Sequence, residues 1–162
     1  MRDVGLNSFQ TADQPNSLAS KLSENTYGLA KRYDQNQLSQ LLCLGPTWVW
    51  ETDADHRFSF ISPKMEDVTG IKVKDLIGRT RRDSFFGSAG LSPSMIAHLD
   101  DLNSQRPFND FAFRSSKSDG AALWVTISGF PRFDEDGKFL GYTGVSRALS
   151  DQAFIDSGLK TI

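Results

Sequence analysis

The sequence has a single cysteine, only two histidines and no long apolar run, and each shortage closes off a class of function. Cys43 alone permits neither an intrachain disulfide nor an all-cysteine metal site, which suits a reducing compartment. His56 and His98 lack the short spacing of metal-binding motifs. The start, MRDVGLNSFQTADQPNSLASK, has no apolar stretch of the kind a secretory signal or a membrane helix needs. A cytoplasmic protein with no membrane partner is therefore expected. The glycines fall in turns or singly in strands, so no phosphate-cradling loop is present. An excess of either charge is also lacking. Lys and Arg total 18, Asp and Glu 20, and a net charge of −2 gives no general reason to bind nucleic acid. Arg79, Arg81 and Arg82 form the only basic cluster; a solvated loop accounts for it, with phosphate or partner contact as the alternative. Asp53 and Asp55, and Asp134 to Asp136 beside Gly137, read as turns rather than paired catalytic carboxylates. No catalytic constellation is assembled, so an enzyme is not expected.

What is there is a chain of 162 residues, 38% apolar and 23% charged, enough to bury a core as one domain. Residues 1–16 are polar and aperiodic and read as a disordered tail. Residues 17–46 read as a helical extension. Leu18, Leu22, Leu29 and Tyr33 share a broad face, and Leu38, Leu41 and Leu42 share a side before Gly45-Pro46 ends the pattern. This extension either lies across the domain or serves as a dimerisation helix, because a thin apolar stripe ahead of a sheet needs some partner.

The densest stretch is Trp48 to Gly70, WVWETDADHRFSFISPKMEDVTG. Trp48, Trp50 and Thr52 alternate onto one face of a strand, and Phe58, Phe60 and Ser62 do so in the next, with Asp53 to Arg57 as the hairpin loop. Ser62-Pro63 supplies an N-cap and an N1 proline for a short helix that Gly70 stops. Val73 to Ile77 fits one helical turn, and Phe85 to Gly90 a mobile loop. Ser92-Pro93 repeats the cap signal before a helix reaching about Ser104, with Met95, His98, Leu99 and Leu102 as its apolar stripe. The last third alternates with period two. Phe108 to Arg114 places Phe111 and Phe113 on one face; Leu123 to Phe133 places Leu123, Val125, Ile127 and Gly129 on one; Phe139 to Arg147 is the final strand. Strands at both ends with helices between make an α+β domain, one antiparallel sheet with helices over one face.

That order of pieces resembles the PAS domain family. The resemblance rests on WVWETDADHRFSFIS followed by EDVTGIKVKDLIGRT, then HLDDLNSQRPFNDFAFR, then SDGAALWVTISGFPRFDEDGKFLGYTGVSR, and it covers about Thr47 to Ser150. It is similar above all to PAS modules of bacterial sensor kinases and cyclic-dinucleotide enzymes. The resemblance implies a PAS domain over residues 47–150, with 151–162 as a short C-terminal tail. It also implies a five-stranded antiparallel sheet in the spatial order 2-1-5-4-3, short helices over one face, and a cleft between them that can hold a ligand.

The family's chemistries bear on particular residues. Gly78-Arg79-Thr80-Arg81 stands where light-sensing flavin members carry Gly-Arg-Asn-Cys, so the resemblance implies no flavin–cysteinyl photocycle. Cys43 precedes the fold and offers no attachment point for coumaric acid. His98 lies on the helix that carries the iron ligand in haem-binding members, displaced by about one turn. The first expectation is therefore no cofactor, with haem or an unknown small molecule as the alternative. Such a ligand would sit among His98, Phe111, Phe113, Val125, Ile127, Tyr142 and Gly144, with Gly129, Gly144 and Ser146 leaving room; the aromatics equally suffice to fill that space. Members that drive a C-terminal effector finish with Asp-Ile-Thr, and Ala148 replaces that aspartate. The expectation is a non-catalytic signalling module, a stand-alone protein or an excised fragment. It would act as a homodimer and as an adaptor or regulator of a partner such as a histidine kinase. The contacts would be made by Leu18, Leu22, Leu29, Tyr33, Leu38, Leu41 and Leu42 or by the exposed sheet face. The alternative is a sensor with a small molecule or haem in the cleft.

Overall fold

Two tryptophans one residue apart, Trp48 and Trp50, are almost wholly buried, and the sheet closes around them. The computed structural model describes residues 40–41, 44–86 and 91–159. Five strands form one sheet in the order β2-β1-β5-β4-β3. They are β1 (Thr47–Thr52), β2 (Phe58–Ile61), β3 (Phe108–Ser116), β4 (Ala122–Phe133) and β5 (Phe139–Leu149). Every neighbouring pair is antiparallel. The first strand lies beside the last, Thr47 opposite Arg147 and Glu51 opposite Thr143, which makes β5 central. This is the α+β architecture and strand order that the resemblance implied.

On β1 and β4 the period-two reading holds. Trp48, Trp50 and Thr52, and Leu123, Val125, Ile127 and Gly129, all lie on the buried side. On β2 it fails. Phe58 and Ile61 are buried while Ser59 and Phe60 are exposed, because the pairing slips by one residue between Glu51 and Thr52. A bulge of one residue moves every later side chain to the other face, so Phe60 does not share a face with Phe58. On β3 a bulge has the opposite benefit. Phe108 faces Gly129 and Phe111 faces Ile127, with Asn109 and Asp110 looped out between them. Asp110 takes φ 52, and its amide donates to Ser128 Oγ at 2.9 Å. Phe108, Phe111 and Phe113 thereby all point to the buried side.

Among the described residues after β1, three α-helices accompany the sheet: α1 (Lys64–Thr69), α2 (Pro93–Asn103) and α3 (Asp151–Asp156). Ser92 caps α2 as read, its Oγ accepting from Met95 N–H at 3.3 Å with Pro93 in the first turn. Ser62 does not cap α1. Its Oγ accepts from Val49 N–H at 3.1 Å and ties the start of the helix to β1, and Pro63 occupies the cap position without a side-chain bond. Gly70 ends α1 at φ 72, a left-handed conformation that suits glycine, and its N–H reaches Glu66 O at 2.7 Å. Val73–Asp75 forms a 3₁₀ turn shorter than the expected Val73 to Ile77. Arg82–Phe86 forms a π-helical turn where a loop start was expected, and residues 87–90 of that loop lie outside the described residues.

Residues 151–162, read as a tail, contain α3. Ser150 Oγ accepts from Ala153 N–H at 3.1 Å, and Phe154 stacks on Trp124 at 3.9 Å, on the sheet face opposite the tryptophan core. The cap-and-apolar-anchor signal was present in Ser150-Asp151 and Phe154. Of the expected helical extension over 17–46, Gln40 and Leu41 are described and helical, with Leu41 half exposed, while Leu18, Leu22, Leu29, Tyr33, Leu38 and Leu42 lie outside the described residues. Among the described residues no helix is long and apolar enough to cross a membrane.

Candidate functional site

Between β1, β5 and α2 the core leaves a cavity of about 190 Å³. Trp50 and Thr52 line it from β1, Thr80 and Arg81 from the segment ahead of the π turn, and Leu99, Leu102 and Asn103 from α2. Tyr142 of β5 forms its floor, and Asp55 and His56 of the β1–β2 loop stand at its rim. A separate void of about 20 Å³ lies deeper, under Phe58, Met65, Phe113 and Val125, and shares Trp50 and Arg81 with the larger one.

Hydrogen bonds fix the walls. Thr52 Oγ1 accepts from Tyr142 N–H at 3.0 Å where the β1–β5 ladder stops. The Tyr142 hydroxyl lies 3.0 Å from Arg106 O, 3.1 Å from Asp101 O and 3.4 Å from Leu102 O, so its single proton holds the end of α2 to the central strand. Burial pushes the phenol up to about 12, which keeps it a donor at neutral pH. Asp53 Oδ1 accepts from Asp55 N–H at 3.0 Å and Arg57 N–H at 2.9 Å, an Asx-type closure of the hairpin loop. It leaves His56 at φ 61 with its ring against Phe139 (5.7 Å) and Tyr142 (6.0 Å).

Arg81 is the unusual group. Only 6% of it is exposed, whereas Arg79 and Arg82 on either side are exposed. Its guanidinium carbon sits 4.6 Å above the Trp50 ring and 5.1 Å from that of Phe58. No carboxylate or carbonyl among the described residues pairs with its side chain. Burial lowers its pKa to about 9, so it remains a cation at neutral pH. The expected solvated loop is thus corrected at this residue. Trp50 Nε1 and His56 Nδ1 are also buried without a hydrogen-bond partner. Burial lowers the His56 pKa, with Asp53 and Asp55 opposing.

A family model for the PAS fold matches residues 36–148. The chain belongs to the PAS family. PAS domains are sensory, signal-transducing modules, and the described chain is one such domain. It is similar to the light-state LOV structure of the blue-light photoreceptor Aureochrome1, with a TM-score of 0.58 at 16% identity, over 74% of this chain and 97% of that one. It is similar also to an RNA-binding light-oxygen-voltage receptor, with a TM-score of 0.59 at 15% identity, over 96% of this chain and 39% of that one. The PAS chain thus spans well under half of that receptor, and at these identities the likeness is one of fold. No curated protein matches the sequence.

Of the residues expected to line a ligand cleft, Tyr142 lines the 190 Å³ cavity of this PAS domain, while Phe113 and Val125 line the small void. His98 turns elsewhere. Its ring stacks on Phe111 at 4.2 Å and meets Phe108 edge-on at 4.6 Å, in the groove between α2 and β3. Both its nitrogens are buried without a partner, and burial, aided by the Arg81 charge, pushes its pKa down to about 3. An imidazole walled between two phenyl rings outside the cavity is not placed to ligate haem within it. Gly144 and Gly129 do not leave room for a ligand either. A Cβ on Gly144 would lie 2.5 Å from Trp50 Cζ2, and one on Gly129 2.8 Å from Trp50 Cη2, so the indole fills the space they free. Ile127 is core, 1% exposed. Sequence reasoning missed Arg81, Trp50 and His56. For Arg81 a signal existed: it stands where the flavin-binding members place their cleft-facing cysteine.

Proposed function

We propose that this PAS domain is a non-catalytic sensor that holds a small organic molecule between β1, β5 and α2 and passes its occupancy to a protein partner. One observation carries the reading: a cavity of about 190 Å³ with buried, unpartnered polar groups on its walls. Native cores pair nearly all such groups. A cavity of about 150 Å³ takes a benzene molecule, so this one suits a single ring or short chain with a polar head. It is smaller than the roughly 300 Å³ at which drug-sized pockets begin, and haem or a flavin is much larger than either. A ligand touching Leu99, Leu102 and Asn103 would bias the position of α2 against the sheet, and only such differential contact moves a conformational equilibrium.

The adaptor reading, with a histidine kinase or a second copy of the chain as partner, draws support from Phe130 (55% exposed) and Val145 (37%) on the outer sheet face. The two readings are compatible, since occupancy must be read by something. The test is a titration of the ¹⁵N-labelled full chain with small aromatic and aliphatic fragments. Shifts at Trp50, Leu102 and Tyr142 are expected. Shifts absent there for every fragment would leave only the adaptor.

A further inference from the structure

We infer that the molecule this cavity takes is a small organic anion whose oxyanion head, a carboxylate in the simplest case, pairs with Arg81. The inference rests on the sensor reading and names its ligand class. Arg81 is the starting point, because a buried cation without an anion is among the costliest groups a fold can hold. The ion pairs of the described residues, Lys72–Glu66, Arg106 with Asp100 and Asp101, Arg114–Asp151 and Arg132–Glu51, all lie elsewhere. Trp50 and Phe58 offer cation–π contact, which offsets part of the desolvation, and no anion among the described residues pairs with the guanidinium. Among the described residues the one carboxylate at the cavity, Asp55, is exposed at the rim and forms no ion pair with Arg81.

The other unpartnered polar atoms point the same way. The Trp50 indole nitrogen can only donate, and the His56 Nδ1 can donate in one tautomer. Both atoms can donate, and beside the Arg81 cation the component that answers all three groups is an acceptor carrying negative charge. A guanidinium presents a planar fork that matches a carboxylate with two parallel hydrogen bonds. Leu99, Leu102 and the Tyr142 ring supply an apolar wall for the rest of the molecule. The burial-lowered guanidinium stays protonated at pH 7, so the charge is there to be neutralised.

Matched acid and amide pairs test this on the full chain at pH 7: benzoate against benzamide, phenylacetate against phenylacetamide, and hexanoate against hexanamide. Binding is read from the Trp50 indole signal and the amides of Leu102 and Tyr142. The expected result is that at least one acid binds tenfold or more tightly than its amide, and that Arg81→Met removes the preference by weakening the acid alone. Equal binding of acid and amide would overturn the anion while leaving the sensor standing. No binding by any member of any pair would overturn both. A preference that survives Arg81→Met would overturn the role of Arg81. Should that variant not fold, the wild-type comparison decides the anion, and Arg81→Lys, which keeps the charge and loses the fork, is expected to retain a weakened preference.

Discussion

Replacing Arg81 with methionine should make the protein more stable. In the folded chain burial lowers the guanidinium from its ordinary value to about 9, and at about 1.36 kcal/mol per pH unit a fall of that size is about 5 kcal/mol against the charged form. The sign follows from linkage. Both states are protonated at pH 7, below either value, so the penalty is fully present there and fades only as pH rises above about 9 toward the ordinary guanidinium value. Cation–π contact with Trp50 and Phe58 returns about 2 kcal/mol. Methionine keeps most of the apolar stem and fills gaps readily. The net gain is about 1–3 kcal/mol, in line with the roughly 1–4 kcal/mol found when buried ions give way to apolar side chains. In urea, at a slope of roughly 2 kcal/mol per molar, the midpoint should rise by about 0.5–1.5 M with an unchanged slope. A residue that stabilises the apo fold would instead lower the midpoint on removal, and a fall of more than about 0.5 kcal/mol would refute the claim that Arg81 is an uncompensated charge. Saturation with a bound acid should narrow or reverse the difference, because about 100-fold excess over Kd adds about 2.7 kcal/mol to the wild type alone.

Other residues give independent checks. His98, held neutral down to about pH 3, contributes stability that is complete above its unfolded value of 6.5 and is lost as pH falls, because the unfolded chain takes up the proton first. Between pH 7 and 5 that loss is about 2 kcal/mol, and His98→Leu should flatten the urea midpoint's pH dependence by that amount; an unchanged slope would mean that His98 can be protonated in place. Gly144→Ala drives a methyl against Ser128 O and Trp50, so a loss of about 2–3 kcal/mol is expected in denaturation, and a loss under about 0.5 kcal/mol would show that β5 yields freely. Phe154→Ala removes the stacking partner of Trp124 and should speed hydrogen exchange at the Phe154 and Ser157 amides about tenfold or more while the sheet's own protection holds. Equal loosening of β4 and β5 would show that α3 is integral to the sheet.

Most of the fold was legible because its signals are local. Alternation on β1 and β4, the Ser92-Pro93 cap and the turn glycines each depend on residues within one element, and their order pointed to the PAS arrangement. The exceptions are places where a distant partner decides. Phe60 lost its predicted face to a register slip against β1, and Phe108 joined Phe111 and Phe113 only through the bulge at Asn109 and Asp110. Residue type and spacing in Arg79-Thr80-Arg81-Arg82 do not mark which arginine is buried, and only the family position of Arg81 does; physically the choice is made by Trp50 and Phe58, outside that segment. Gly129 and Gly144 announce a gap but not that Trp50 fills it. On α2 the stripe of Met95, His98, Leu99 and Leu102 spans more than one direction, and a helical period does not say that Leu99 and Leu102 meet the cavity while His98 turns to Phe111. Of the candidate ligand residues only Tyr142 was accordingly legible as cavity and the others as core or groove, and the unpartnered polar atoms of the cavity came from β1 and the β1–β2 loop.

The most direct measurement is the Arg81 side-chain Nε–H resonance in the ¹⁵N-labelled full chain, followed as the tightest-binding acid of the matched pairs is added at pH 7. Formation of a charge-assisted pair should move that signal downfield and slow its exchange with solvent in step with the shift of the Trp50 indole. An Arg81 signal that stays in place while Trp50 and Leu102 respond would contradict the account, since the ligand would then occupy the cavity without engaging the charge.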